Sequence, residues 1–226
     1  MSRGRPAGLL GAAFAAALTA DLLALLAGSG TGHLVAKPLL MPLLAAYAAV
    51  RGAPRTLLAA LLLGWGGDVC LLSDGEGAFL AGMGSFAAGH VCYLLLFGRV
   101  RTSPALGACY AAVLVAVVAL LWPGLPAGLR VPVAGYALLL TATAYRASGL
   151  GPAAGAGGAL FLLSDTLIAA GVAAWPQPPV PDFWIMLTYG AAQYLLVTGV
   201  LTPSNAARPL PTGPAAVPSR RGRPRS

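Results

Sequence analysis

Leu61-Leu-Leu-Gly-Trp-Gly-Gly-Asp68-Val-Cys-Leu-Leu72 is an apolar stretch that contains a single carboxylate. A second stretch late in the chain has the same character: Gly158-Ala-Leu-Phe-Leu-Leu-Ser-Asp165-Thr-Leu-Ile-Ala169. The sequence has six acidic residues, and two of them interrupt these apolar runs. A charged side chain at the centre of a bilayer costs about 2.5–3.5 kcal/mol on insertion scales. Both aspartates are therefore predicted to face a protein interior and to have a function there.

The composition is that of a polytopic membrane protein. Of the 226 residues, 58% are hydrophobic and 9% are charged, and the mean hydropathy is +0.80. A soluble domain carries roughly 25% charged residues. The net charge of +8 does not indicate a nucleic-acid partner, because the arginines lie in short loops and in a C-terminal tail. That distribution is typical of membrane topology signals.

Hydropathy predicts one domain, residues 1–202, which is an all-α bundle of eight transmembrane helices. A helix that spans the hydrocarbon core needs about 20 mostly apolar residues. The segments that meet this rule are 8–27, 34–50, 55–73, 79–97, 104–122, 130–147, 153–173 and 182–201. The remaining residues, 203–226, are rich in proline and arginine and are predicted to form a disordered basic tail.

The arginines predict the orientation of the bundle in the cell membrane. With a cytoplasmic N-terminus, the outer segments carry only Arg130 among the arginines. The arginines of the inner segments are Arg3, Arg5, Arg51, Arg55, Arg99, Arg101, Arg146, Arg208, Arg220, Arg221, Arg223 and Arg225. Cytoplasmic loops carry an excess of Lys and Arg. Both termini are therefore predicted to be cytoplasmic.

A weak internal repeat relates the two halves of the chain. Gly67-Asp68 in the third segment matches Ser164-Asp165 in the seventh. The pattern Gly89-x-x-x-Tyr93 in the fourth matches Gly190-x-x-x-Tyr194 in the eighth. Four spans in each half would make these two parallel four-helix repeats, related by an axis along the membrane normal.

Five ionisable groups are predicted to share one band of the bilayer. Asp21, Asp68 and Asp165 lie at similar depths in segments that run outward, and Lys37 and His90 fall near the same level. On lipid-facing surfaces such groups would be strongly unfavourable, so they should converge on the interior of the bundle.

One face of the fourth segment carries aromatic and polar side chains. Phe79, Gly82, Phe86, His90 and Tyr93 are spaced by helical turns and therefore share that face. The face suits the wall of a pocket for an amphiphilic substrate. The alternative is a stripe that packs against another helix, with His90 bonded to a backbone carbonyl.

Three further residues have open roles. Lys37, followed by Pro38 and Pro42, either snorkels to the outer interface or pairs with an aspartate or a phosphate. Asp21 forms a structural ion pair or takes part in catalysis. Ser164 is a small residue beside Asp165 that would allow a neighbouring helix to approach.

Two buried carboxylates suit acid–base catalysis without a metal or another cofactor. Their environments can keep one of them protonated as an acid and the other ionised as a base. Glycosidases cleave acetals in this way, through an oxocarbenium-like state. The sequence has no Gly-x-Ser-x-Gly elbow, no His-Glu-x-x-His motif and no Cys/His cluster with zinc spacing.

A set of ordered motifs carries a resemblance to a known family. They are Lys37-Pro-Leu, Gly67-Asp68, Phe79-x-x-Gly82-x-x-x-Phe86-x-x-x-His90-x-x-Tyr93 and Gly158-Ala-x-x-Phe-x-x-Ser164-Asp165. With these motifs the chain resembles the YhhN-like lysoplasmalogenases, over all eight segments but not the tail. The resemblance implies an integral membrane enzyme that hydrolyses the vinyl-ether bond of lysoplasmalogens. The products are a fatty aldehyde and a glycerophospho-ethanolamine or -choline.

That reaction assigns expected roles to the residues. Asp68 and Asp165 would be the acid and the base, in an order that the sequence leaves open. His90 and Tyr93 would orient water or the glycerol oxygens, and Lys37 would pair with a carboxylate or with the substrate phosphate. The expected partners are a lysophospholipid and membrane lipids, and the oligomeric state is not fixed.

Two other functions fit the same composition. Intramembrane acids, a lysine and a parallel repeat would also suit a proton-coupled secondary transporter. A lipid-binding protein without enzymatic activity is the third reading. Release of a fatty aldehyde by the purified protein distinguishes the enzyme from both.

Overall fold

The computed structural model describes residues 4–202, and within that range the chain forms eight α-helices and no strand. In chain order the helices are α1 (Gly4–Leu26), α2 (Gly30–Val50), α3 (Arg55–Cys70), α4 (Glu76–Phe97), α5 (Pro104–Leu121), α6 (Ala127–Ser148), α7 (Pro152–Val172) and α8 (Pro181–Leu201). The predicted basic tail, 203–226, lies outside the described residues.

The helices form a membrane bundle, which confirms the predicted fold class. Seven of the eight are long and apolar enough to cross a bilayer. Large apolar side chains such as Leu9, Leu95 and Val131 are exposed on the outside of the bundle, where lipid would cover them. The chain is therefore a multi-pass membrane protein. The two-repeat organisation stays a prediction.

The remaining helix, α3, is shorter than the segment predicted from hydropathy. It has 16 residues and ends at Cys70, whereas the apolar run suggested a span over 55–73. At 1.5 Å per residue, α3 is roughly 24 Å long, less than the hydrocarbon core of about 30 Å. As a result Asp68 lies in the last turn of α3, close to one end of the bundle.

Sequence signals at the helix starts match the observed boundaries. Pro104, Pro152 and Pro181 stand at the first positions of α5, α7 and α8. Proline is favoured there because the first amide has no partner within the helix. The Ser29 hydroxyl caps α2 by accepting a hydrogen bond from the Gly32 amide at 3.2 Å.

The prolines within α2 create a link to α3. Pro42 has no amide hydrogen, so the carbonyl of Pro38, four residues earlier, has no helical donor. The indole Nε1 of Trp65 in α3 donates to that carbonyl at 2.9 Å. This bond fixes the Lys37 turn of α2 beside the helix that carries Asp68.

Glycines let the helices that carry the aspartates approach their neighbours. A Cβ atom at Gly157 of α7 would lie 2.8 Å from the Leu196 backbone nitrogen of α8. A Cβ atom at Gly89 of α4 would lie 3.1 Å from the Ala60 carbonyl oxygen of α3. Small residues are enriched where membrane helices pack this closely. These contacts hold α3 against α4 and α7 against α8.

Candidate active site

The Asp68 carboxylate is buried and belongs to a hydrogen-bonded chain across three helices. Its Oδ2 atom accepts a bond from the Tyr189 hydroxyl of α8 at 2.7 Å. The Gln193 amide nitrogen, one turn further along α8, lies 3.4 Å from the same hydroxyl. On the other side, the Tyr93 hydroxyl of α4 donates to Gln193 Oε1 at 2.7 Å. Each of these four side chains therefore has a polar partner.

The Asp165 carboxylate of α7 is held by a different tyrosine. The Tyr136 hydroxyl of α6 donates to its Oδ2 atom. Asp165 also lines two narrow apolar clefts, one beside α5 and the other beside α4. Each cleft has a volume of about 50 Å³. The residues that line both clefts are Val133, Tyr136, Asp165 and Ala169. Asp165 is thus a carboxylate on the wall of two apolar clefts.

A layer of aromatic rings contacts the surroundings of both carboxylates, because Tyr189 donates to Asp68 and Phe86 lines a cleft with Asp165. The Phe86 ring meets those of Tyr189 and Phe161 edge-on, with centroids 6.0 Å and 6.3 Å away. Phe86 also lines the second cleft. Asp68 itself lines neither cleft. The two carboxylates are nevertheless close enough to interact electrostatically.

His90 is buried among aromatic rings without a hydrogen bond. Within residues 4–202, neither of its ring nitrogens has a polar partner. The ring packs edge-on against Phe161 at 4.6 Å and Tyr136 at 5.8 Å between centroids. A buried polar side chain normally has a hydrogen-bond partner. The ring nitrogens of His90 are therefore free to bond a polar group that enters beside Tyr136.

A second polar cluster joins α1 and α2 to Asp68. The Asp21 carboxylate is fully buried, and its Oδ1 atom lies 2.8 Å from Nδ1 of His33. Lys37 is only 8% exposed and has no ion-pair partner within 4 Å in the described part of the chain. Lys37, Asp21 and His33 all lie within Coulombic range of the Asp68 carboxylate. The lysine is therefore largely buried and close enough to Asp68 to interact with its charge.

The structure also locates the remaining sequence candidates. Phe79 lines the second cleft together with Phe86. Ser164 is buried, and its hydroxyl donates to the Ile185 carbonyl of α8 at 3.1 Å, so it joins α7 to α8. The Tyr93 hydroxyl donates a hydrogen bond to Gln193. In residues 4–202, no three His, Cys, Asp or Glu side chains converge as metal ligands.

Sequence reasoning missed the partners of the acids. Tyr189 and Gln193 are polar residues four apart in an apolar helix, a spacing that places them on one face and could have revealed them. The internal repeat pointed to Tyr194 instead of Tyr189, and the Tyr194 side chain is exposed. His33 and Tyr136 carried no pattern that distinguishes them from ordinary residues at helix ends and interfaces.

Together these features define a polytopic membrane protein with one buried carboxylate, Asp68, and one half-buried carboxylate, Asp165, which lines two narrow apolar clefts. The chain belongs to the YhhN family, whose model matches residues 32–200. This match confirms the family resemblance inferred from the ordered motifs. It begins within α2, so Asp21 on α1 lies outside the matched residues.

Several curated relatives are similar to the chain. Human lysoplasmalogenase TMEM86B is 35% identical over 150 residues, which are 66% of this chain and 65% of the human protein. The matched part thus spans less than two thirds of that relative. The lysoplasmalogenase of Mycobacterium tuberculosis is 34% identical over 232 residues, with 90% of this chain and 87% of the relative covered. No solved structure matches the chain.

Proposed function

We propose that this protein is a lysoplasmalogenase, which hydrolyses the vinyl-ether bond of a lysoplasmalogen within the membrane. The names of its relatives support this function. The observation that carries it is the position of Asp165, which lies on the wall of two apolar clefts and interacts electrostatically with the buried Asp68. Narrow apolar clefts suit an alkenyl chain, and a carboxylic acid on their wall can reach the vinyl ether.

The reaction requires an acid, a base and one water molecule. Protonation of the β-carbon of the vinyl ether converts the α-carbon and the ether oxygen into an oxocarbenium ion. Water attacks the α-carbon while the base accepts one of its protons, which gives a hemiacetal. The hemiacetal then breaks its bond to the glycerol oxygen, which regains a proton. The products are a fatty aldehyde and a glycerophospho-alcohol, and one water molecule is consumed in each turnover.

We assign the acid role to Asp165 and the base role to Asp68. Asp165 lines the clefts where an alkenyl chain would lie, so it can protonate carbon. Asp68 accepts a hydrogen bond from Tyr189 and interacts electrostatically with Lys37, which makes it a suitable group to activate water. A shift of the Phe86 ring would join this network to the second cleft, which Phe86 also lines.

The neighbouring side chains support this arrangement. The rings of Phe86, Phe161 and Tyr189 lie beside the place where the cation forms, and aromatic rings attract a cation positioned over their faces. His90 would hold the water or a glycerol oxygen through its free nitrogens. Tyr93 holds Gln193 in place, and the charge of Lys37 compensates that of Asp68. Phe79 would contact the lipid chain, and the lysophospholipid would enter from the surrounding membrane.

Product analysis tests the function directly. The purified protein, incubated with a lysoplasmalogen in detergent micelles, should release a fatty aldehyde and a glycerophospho-alcohol, both detected by mass spectrometry. The corresponding ester lysophospholipid is the control and should remain intact. Proton-coupled lipid flux in liposomes without either product would refute the enzyme and favour the transporter.

We further propose that both termini are cytoplasmic and that the protein resides in the cell membrane. The concentration of arginines on one side of the predicted segments supports this orientation. In a variant without the native cysteines, Ser73→Cys should react with a membrane-impermeant maleimide added to intact cells, and Arg99→Cys should not. The opposite labelling would reverse the orientation.

The two tyrosines should each contribute to turnover. Tyr189→Phe and Tyr136→Phe remove one hydroxyl that bonds a carboxylate, and a hydrogen bond to a charged group is worth about 1.5–3 kcal/mol. We expect kcat to fall by roughly 10-fold or more in each variant while the rings preserve the packing. Tyr194→Phe is the matched control, because Tyr194 is exposed and makes neither bond. Equal kcat values in all three variants would contradict the roles of Tyr136 and Tyr189.

A further inference from the structure

A groove opens between the first half of α1 and its neighbours α2 and α8. Its walls include Gly4, Gly8 and Gly11 of α1, Tyr47 and Arg51 at the end of α2, and Tyr194 of α8. The groove has a volume of about 670 Å³, which falls within the roughly 300–1,000 Å³ typical of ligand pockets. The proposed hydrolysis makes no use of it, because none of these residues lines the clefts around Asp165.

The groove exists because α1 contacts the bundle along a narrow line. The buried residues of α1 are Ala7, Phe14 and Asp21, which are seven apart and therefore share one face. Beside this line α1 has small side chains, and within residues 4–202 a Cβ atom at Gly8 would have no heavy atom within 4 Å. An unfilled gap deprives the residues around it of dispersion contacts. In a bilayer, an acyl chain is the group at hand to fill such a gap.

Arg51 gives the groove a positive charge at its end. Its Nη1 atom donates to the Tyr47 hydroxyl at 2.9 Å, and its guanidinium carbon lies 5.6 Å from the centre of the Tyr47 ring. None of the six acidic residues of the chain lines the groove. In the described part of the chain, Arg51 has no carboxylate within 4 Å. The guanidinium matches the oxygens of a phosphate group, whereas the amine of a zwitterionic headgroup would find no carboxylate on the groove wall.

We propose that this groove binds a phospholipid whose headgroup carries a net negative charge. An acyl chain lies along the small residues of α1, and the phosphate pairs with Arg51. The bound lipid thereby joins α1 to α2 and α8. Gly4 and Gly8, four apart, would also suit close contact with a second copy of the chain. A two-fold contact through this face would, however, bring two Arg51 side chains together, and like charges repel.

Lipid binding by the purified full-length protein tests the proposal without any substrate. In native mass spectrometry, the wild type should bind dioleoyl phosphatidylglycerol more tightly than dioleoyl phosphatidylcholine. Arg51→Gln should raise the apparent Kd for phosphatidylglycerol roughly five-fold or more, the usual contribution of one basic residue at an anionic lipid surface. Arg99→Gln, an exposed change in the α4–α5 connection, is the control. Gly8→Leu should fill the groove and also weaken binding, whereas Gly84→Leu on the exposed face of α4 should not.

Three outcomes would overturn the lipid site. The first is equal affinity of the wild type for the two lipids, or equal Kd values for Arg51→Gln and Arg99→Gln. If Arg51→Gln does not fold, Gly8→Leu decides, because it leaves the Arg51–Tyr47 bond intact, and binding equal to that of Gly84→Leu is the second such outcome. The third is a wild type that is dimeric in detergent and becomes monomeric with Gly8→Leu, which would assign the groove to a second copy. Aldehyde release enters none of these measurements, so this site and the proposed hydrolysis can fail independently.

Discussion

Asp165→Asn should lower kcat for lysoplasmalogen hydrolysis by roughly 10²–10⁴-fold, the usual contribution of a general acid or base. The change is nearly isosteric and still allows a hydrogen bond with Tyr136, but an amide cannot donate a proton to carbon. Asp68→Asn should have an effect of similar size, because an amide cannot accept a proton from water. Aldehyde release by purified variants, at matched amounts of folded protein, gives both values.

Asp182→Asn provides the matched control for these variants. Asp182 lies exposed in the first turn of α8, so the same chemical change there should leave kcat unaltered. The two site variants should also differ from each other. Hydronium can replace a missing acid, so the residual activity of Asp165→Asn should rise as the pH falls, whereas that of Asp68→Asn should not. Normal turnover by either variant would remove that aspartate from the catalytic pair.

Asp68 and Asp165 could be identified from the sequence because a carboxylate is unfavourable in an apolar membrane segment. Asp68 and Asp165 interrupt apolar runs, and only burial in the protein interior makes such residues tolerable in a membrane. The tyrosines that bind them give no such signal, because tyrosine is common in membrane helices and its hydroxyl can point anywhere. Which tyrosine meets which carboxylate depends on how α6 and α8 pack, and a single sequence does not specify this.

Hydropathy also predicted the eight helices, but it did not predict where α3 ends. Hydropathy identifies apolar segments, but Leu71 and Leu72 are apolar residues that lie outside the helix. The turn that follows contains Ser73, Asp74 and Gly75, and Gly75 has a φ of 110°, which favours glycine. Local turn chemistry therefore ends the helix before the hydrophobic pattern does, and leaves Asp68 in the last helical turn.

Gly157→Ala should destabilise the protein by about 1–3 kcal/mol, the range for an overpacked interior. The new Cβ atom would lie 2.8 Å from the Leu196 backbone nitrogen and 2.9 Å from the Ala192 carbonyl oxygen. Backbone atoms cannot turn away as a flexible side chain can, so α8 as a whole must move. That movement would shift Tyr189 on α8 relative to its partners. We expect a lower midpoint of thermal unfolding in detergent together with a reduced kcat.

Gly135→Ala separates this packing effect from the intrinsic preference of a helix for alanine. Gly135 lies within α6 and faces outward, and a Cβ atom there would have no heavy atom within 4 Å. Alanine favours a helix by about 1 kcal/mol relative to glycine, so this variant should be as stable as the wild type or slightly more so. Equal unfolding midpoints for the two variants would mean that α7 and α8 are not in the close contact on which the Ser164–Ile185 bond depends.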